Sequence, residues 1–160
     1  MKGDGTSSAS RKYLYSMMLS ITSKYAIRAV IYIALYATPE KKKGLREISG
    51  ELGIPAPFLG KILQVLTRQQ ILDSTKGPHG GFSLKRPAID ISLMQIIDII
   101  DGTDAFNQCL IRTSPCSKES PCSLHDKAAI HRNGLKSILL TESIAELASE
   151  FRKGKERIMI

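Results

Sequence analysis

Two short amphipathic runs meet at Gly53-Ile54-Pro55, and few chain geometries satisfy that junction. Leu45, Ile48 and Leu52 recur at helical spacing and face one way on a short helix. Gly53 then closes that helix, because glycine adopts the left-handed C′ conformation at little cost. Proline suits the first turn of a helix, so a second one is expected to start near Pro57. Its apolar face is Leu59, Ile62, Leu63 and Leu66. Small Ser49, four residues before Gly53, lets the helices cross closely while the glycine turns the chain sharply, as in a helix-turn-helix. An ordinary αα-corner without a role in DNA binding fits the same pattern.

The next stretch favours the first reading. Residues 71–75 and 81–84 are strand-like and flank Lys76-Gly77-Pro78-His79-Gly80, a Gly/Pro-rich turn. A hairpin directly after a helix-turn-helix is a winged helix, and this wing would carry Lys76 and His79 at its tip. A basic tip fits a minor groove or the flanking phosphates. His79 by itself reads as a solvated turn residue rather than a ligand. Charge points the same way. The net charge is +8, with +6 of it in residues 18–90 and none in residues 91–160. Any polyanionic partner therefore meets the first half of the chain.

At 160 residues, 42% of them apolar, the chain can fill one ordinary core. No apolar run is long enough to span a bilayer, and residues 1–17 lack the apolar core of a secretory signal. We expect no membrane association and a cytoplasmic location. Residues 1–17 read as a disordered extension, an upstream start or a cloning remnant. Thr22 or Ser23 can cap a first helix running to about Ala37, with Lys24, Arg28, Tyr32 and Tyr36 on one narrow stripe. The rest of that helix is apolar, which suits burial by its own domain and by a partner subunit. Ser92 with Gln95 forms a capping box for a helix that Gly102 stops. From about Ser123, with Asp126 in capping-box position, a further helix runs towards Leu140 and carries Leu124, Ala128, His131, Leu135 and Ile138 at 4-3-4-3 spacing. That narrow seam suits pairing with a twin helix, or packing on its own domain. Thr141 can cap a last short helix with Ile144, Leu147 and Phe151.

Between these helices lies C-L-I-R-T-S-P-C-S-K-E-S-P-C-S-L-H (109–125), which holds all three cysteines. An odd cysteine count without an export signal argues for a reducing compartment rather than a disulfide framework. Cys109, Cys116, Cys122 and His125 follow a C-x6-C-x5-C-x2-H spacing and could supply four metal ligands. Structural zinc usually uses tighter cysteine knuckles, and wide loops suit an iron–sulfur cluster. Zinc, unligated or redox-active thiols, and a cysteine nucleophile with a histidine base remain open from the spacing. No pocket motif or acid/base pair supports an enzyme.

Five segments together resemble the IscR/NsrR/RirA family of iron–sulfur winged-helix transcription regulators. They are I-T-S-K-Y-A-I-R-A (21–29), E-I-S-G-E-L-G-I-P (47–55), F-L-G-K-I-L-Q-V-L (58–66), K-G-P-H-G-G-F-S-L (76–84) and the three-cysteine loop. The resemblance covers the chain from Met18 to about Ala148. It implies a mainly α fold with a small β-hairpin wing, in two parts. Residues 18–90 would form a winged helix-turn-helix DNA-binding domain, and residues 91–160 the cluster loop and a long dimerisation helix. It further implies a homodimer on a palindromic operator in double-stranded DNA. DNA contacts would fall on Pro57, Phe58, Gly60, Lys61 and, in the wing, Lys76. Gly60 has no side chain where many relatives carry a glutamate or another reader. His79 replaces the middle glycine of the usual G-P-G-G-G, which would stiffen the wing or add a phosphate contact.

Cluster ligands would be Cys109, Cys116 and Cys122. One branch of the family has a histidine at the position of His125. Another uses an aspartate in the partner's first helix, where this chain has Lys24, a residue unable to ligate while protonated. The resemblance thus favours His125 and a [2Fe-2S] cluster over a [4Fe-4S] cluster. The function it implies is a non-enzymatic regulator, a repressor by expectation, that senses cluster status, nitric oxide or redox stress. A zinc-stabilised DNA-binding module, and a cluster-free regulator controlled by docking a metabolic enzyme, are the alternatives.

Overall fold

The structure is a computed structural model that describes residues 19–102, 109, 111, 112 and 119–154. The N-terminal extension expected over 1–17, the expected ligand Cys116 and the last six residues lie outside the described residues.

The fold is mainly helical with one two-stranded antiparallel hairpin. Helix α1 (Ile21–Tyr36) runs through the middle of the molecule. Ser23, Ala26, Ala29, Val30, Ile31, Tyr32 and Ile33 are all buried, so the helix is covered on several sides. Its cap is Ser20 rather than Thr22 or Ser23. Ser20 is extended, and its hydroxyl accepts from the Ser23 amide at 3.0 Å. Ser23 is three residues further on and is itself buried inside the helix. Tyr32 also leaves the expected polar stripe, being only 7% exposed. Burial raises its phenol pKa above the usual value, with the nearby Glu47 carboxylate adding to the shift.

Helices α2 (Leu45–Leu52) and α3 (Ala56–Arg68) form the corner expected around Gly53. Gly53 has φ 63 and ψ 29, the left-handed region that ends a helix. Ile48 and Leu52 from α2, and Leu59, Ile62, Leu63 and Leu66 from α3, enter the core. Strands β1 (Leu72–Thr75) and β2 (Gly81–Leu84) pair with Leu72 opposite Leu84 and Thr75 opposite Gly81. Lys43 adds a single antiparallel bridge to Phe82, through reciprocal amide–carbonyl bonds of 3.0 and 2.8 Å. The wing is thereby fastened to the chain just ahead of α2.

After a 3-10 turn (Ala88–Asp90), α4 (Leu93–Asp101) starts on the Ser92–Gln95 capping box and ends at Gly102. Helix α5 (His125–Thr141), at 17 residues, is the longest described. It begins without a side-chain cap, so the expected Ser123–Asp126 box does not form. Helix α6 (Ile144–Arg152) is capped by Ser143, whose box partner is Glu146. Thr141 instead lies inside α5, with its hydroxyl turned back to the carbonyls of Ser137 and Ile138.

One core joins residues from α1, α2, α3, β1, α4 and α6, including Ile91, Ile96 and Ile144. A smaller cluster of Met94, Ile97 and Leu139 attaches α5 to α4. Backbone bonds from Leu93 to Glu142 and from Ile144 to Ile91 lock the α5–α6 joint against the start of α4. Among the described residues no helix is long and apolar enough to cross a membrane.

Candidate nucleic-acid interface and metal-ligand loop

The corner between α2 and α3 is held from both sides. The Ser49 hydroxyl donates to the Ile54 carbonyl at 2.6 Å, closing the turn. On the other side Arg28 of α1 donates to the Leu52 carbonyl at 2.9 Å, placing a cation at the negative end of α2. Tyr25, one turn earlier on α1, meets Phe58 edge-on, with ring centroids 5.9 Å apart and planes at 82°. Arg28 also lies 6.0 Å from the Tyr25 ring centre. The position and tilt of α3 therefore depend on α1.

Pro57 and Lys61 are exposed on α3, and Phe58 is 38% exposed at its flank. Gly60 faces inward instead. A Cβ there would lie 3.3 Å from a Leu45 methyl, so the missing side chain lets α3 approach α2. Lys76 and His79 are exposed at the wing tip. The Gly80 amide donates to the Gly77 carbonyl at 3.0 Å, which tightens the tip. A Cβ at Gly80 would come within 2.1 Å of the Thr75 carbonyl oxygen, so this position admits only glycine. Two basic residues nearby are paired within the protein. Lys42 pairs with Asp73 and with the Thr75 hydroxyl, and Lys43 pairs with Glu47. The Lys42 hydrogen bond holds the Asp73 carboxyl below its ordinary value, and the Glu47 bond pushes the Lys43 ammonium up. Lys61 and Lys76 form no ion pair with the described residues, which leaves their charge available to an external phosphate.

The ligand loop leaves α4 at Gly102 and enters α5 at His125. Cys109 is half-buried, and its sulfur accepts from the Ile111 amide at 3.4 Å and the Arg112 amide at 3.3 Å. Metal-bound sulfur commonly accepts backbone amides in this way. Cys122 is half-buried too, and its carbonyl accepts from the His125 amide at 3.0 Å. The His125 Nδ1 is buried and finds no hydrogen-bond partner in the structure. Such a nitrogen, when it carries the lone pair, is free to bind a metal. Among the described residues no three His, Cys, Asp or Glu side chains converge as a metal set, and Cys116 lies outside them. The donor chemistry at Cys109 and His125 thus fits a thiophilic metal centre.

Three features of these sites have no strong local sequence signal. Arg112 reaches across the loop to the Ser120 carbonyl and hydroxyl at 3.1 and 3.3 Å, joining the arm of Cys109 to that of Cys122. A cation three residues after Cys109 is its one trace in the sequence. Asp101, the last residue of α4, accepts from the Ser20 amide at 3.2 Å and from the Ser20 hydroxyl. That contact ties the base of the ligand loop to the first turn of α1. Lys43 bridges the wing although nothing around it alternates like a strand.

On α5, Leu135 and Leu139 turn inward to Met94 and Ile97. Ile130, at 73% exposure, and Ile138, at 55%, point outward. The expected seam is therefore split, with Leu135 inside and Ile138 outside, and Ile130 is an outward residue the spacing had not singled out.

A family model described as an iron-dependent transcriptional regulator, Rrf2, matches residues 19–150. A candidate HTH-type transcriptional regulator of Aquifex aeolicus is 34% identical over 113 residues, covering 69% of this chain and 77% of its own. The Rrf2 protein of Nitratidesulfovibrio vulgaris is 28% identical over 106 residues, with 66% and 65% covered. Two solved structures share the fold. CymR, the global cysteine regulator of B. subtilis, superposes with a TM-score of 0.68 at 21% identity over 82% of this chain and 95% of its own. T. potens IscR superposes with a TM-score of 0.66 at 18% identity, covering 87% and 91%. With the winged helix-turn-helix in place and the family model spanning nearly all the described residues, this chain belongs to the Rrf2 family of DNA-binding transcriptional regulators, not to the enzymes.

Proposed function

We propose that this regulator represses transcription from a palindromic operator as a cytoplasmic homodimer, and that a cluster on Cys109, Cys116, Cys122 and His125 sets its affinity. The observation that carries the cluster assignment is the buried, partnerless Nδ1 of His125, beside a loop in which Cys109 receives two backbone amides. A bound [2Fe-2S] group would supply an anionic centre sensitive to oxidants and nitric oxide. The chain's own residues do the rest. Arg112 holds the two arms of the loop together, and the amides of Ile111 and Arg112 orient the Cys109 sulfur.

The loop's state reaches the DNA-reading elements along α1. Asp101 binds Ser20 at the start of that helix, and Tyr25 and Arg28, within two turns of Ser20, grip Phe58 and the Leu52 carbonyl. A change at the loop that pulls on Asp101 would then tilt α3. Coupling of about 1–3 kcal/mol is the ordinary size for such a linkage. Pro57, Phe58, Lys61, Lys76 and His79 are the proposed contacts to DNA, while Gly60 contributes by letting α3 seat against α2. Dimerisation is assigned to the outer face of α5.

Anaerobic purification with a visible spectrum and iron and sulfide counts tests the cluster. A coloured protein with two irons and two sulfides per chain is expected, and His125→Ala should bleach or shift the spectrum. A colourless protein holding zinc would replace this reading with a zinc-stabilised module. Equal operator affinity of loaded and stripped protein at matched salt would remove the sensing role.

A further inference from the structure

Helix α3 presents a stripe that extends beyond the contacts already assigned. Pro57, Lys61, Gln64 and Arg68 are all exposed and follow one another at 4-3-4 spacing. At 3.6 residues per turn that spacing stacks the four on one narrow line. The line lies opposite the buried face of Leu59, Ile62, Leu63 and Leu66. The residues beside it pack at least in part against the protein. Phe58 leans on Tyr25, and Gly60 sits against Leu45. Lys61 and Gln64 are not engaged in hydrogen bonds or ion pairs with other described residues.

We infer that Gln64 is the adenine-reading residue of the operator complex and that Lys61 reads the neighbouring guanine. This rests on the reading of α3 as the helix that enters the major groove. The chemistry follows from the side chains. A glutamine side chain can donate from its amide NH2 to N7 of adenine while its oxygen accepts from the N6 amino group, a bidentate pair. Lysine carries donors alone and suits O6 and N7 of guanine. Along the helix the two residues are about 4.5 Å apart at 1.5 Å per residue. Successive base pairs are about 3.4 Å apart, so adjacent or nearly adjacent bases come within reach. Pro57 at the leading end offers no polar group and can touch a thymine methyl. Arg68, in the last turn and clear of the core, is placed for a phosphate of the backbone. The base-reading set is thus small, two polar side chains per subunit, and Gly60 takes no part in it.

The test is selection from randomised duplexes with the full-length, anaerobically purified protein and its Gln64→Ala, Gln64→Glu and Lys61→Ala variants. Gln64→Ala should lose the preference for adenine at one position of each half-site, by about 5- to 150-fold, with the remaining positions unchanged. Gln64→Glu should move that same position towards cytosine, because a carboxylate accepts from the cytosine amino group. Lys61→Ala should relax the adjacent guanine position. If the Gln64 variants select the parental sequence while Lys61→Ala does not, the Gln64 assignment is wrong and the α3 reading stands. If none of the three changes the selected sequence, the reading of α3 as the groove-entering helix falls as well.

Discussion

Helices α2 and α3 both end on a left-handed residue whose successor bonds back five residues, with different residues at the turning position. After α2, Gly53 has φ 63, and the Ile54 amide reaches back to the Ser49 carbonyl at 3.2 Å. After α3, Gln70 has φ 59, with Ile71 bonded to Leu66 and Gln70 to Thr67, both at 3.0 Å. Both are Schellman-type ends, in which a left-handed residue lets the next amides satisfy the last carbonyls. A side chain in that conformation costs roughly 1–2 kcal/mol, and glycine avoids it. Gly53→Ala should therefore lower stability by about 1 kcal/mol, read as a lower urea midpoint with an unchanged slope. Gln70→Gly should raise it by about 0.5 kcal/mol, the strain relief less the extra freedom of glycine in the unfolded chain. A lower midpoint for Gln70→Gly would mean that the side-chain bond from Gln70 to the Thr67 carbonyl outweighs the backbone strain. Gly53 was legible in the sequence because glycine announces such a turn. Gln70 was not, because a glutamine carries no such preference.

Helix ends also link elements to one another. The Glu146 carboxyl is held below its ordinary value of 4.5, first by the Ser143 hydroxyl and then by the Ser143 amide. A depressed carboxyl pKa stabilises the fold fully above 4.5 and loses that effect as pH falls through the lower folded value. Glu146→Ala should therefore lower the thermal midpoint at neutral pH, and its difference from the parent should close in acid. A difference that persisted well below 4.5 would show that the carboxyl's charge is not what matters. Asp101 does comparable work at the start of α1, where a negative group beside a helix N-terminus contributes about 0.3–1 kcal/mol. Asp101→Asn should speed amide exchange in the first turn of α1. It should also shrink the gap in operator affinity between loaded and stripped protein. Faster exchange with an undiminished gap would reduce Asp101 to a structural cap.

At the scale of the whole molecule, α1 is the shared beam. The winged helix-turn-helix, α4 and α6 all pack on it, while α5 is fixed inward mainly through Leu135, Leu139 and the backbone lock beside Ser143. The outer face of α5 leaves Ile130 and Ile138 exposed, with Gly134 between them offering a close approach. Ile138→Asp should yield a monomer by sedimentation, with unchanged helix content and much weaker operator binding. A variant that stayed dimeric would move the subunit interface elsewhere.

The sequence by itself determined the local pieces. Leu59, Ile62, Leu63 and Leu66 mark a helix face because burial imposes a 3.6-residue period. Ser92 with Gln95 marks a start, because a capping box is complete within four residues. The loop's candidate donors are visible by residue type alone, since a thiol and an imidazole offer the same atoms in any fold. What only the tertiary structure decided are contacts between groups far apart in the chain. Ser20 meets Asp101, Tyr25 meets Phe58, Lys43 joins the wing, and Gly60 closes on Leu45. Even the choice of Ser20 over Ser23 as the cap of α1 belongs here, because burial of Ser23 places it inside the helix. Local patterns state which face of an element is apolar, but the partner of that face, and the polar atoms trapped beside it, follow from packing the whole chain at once.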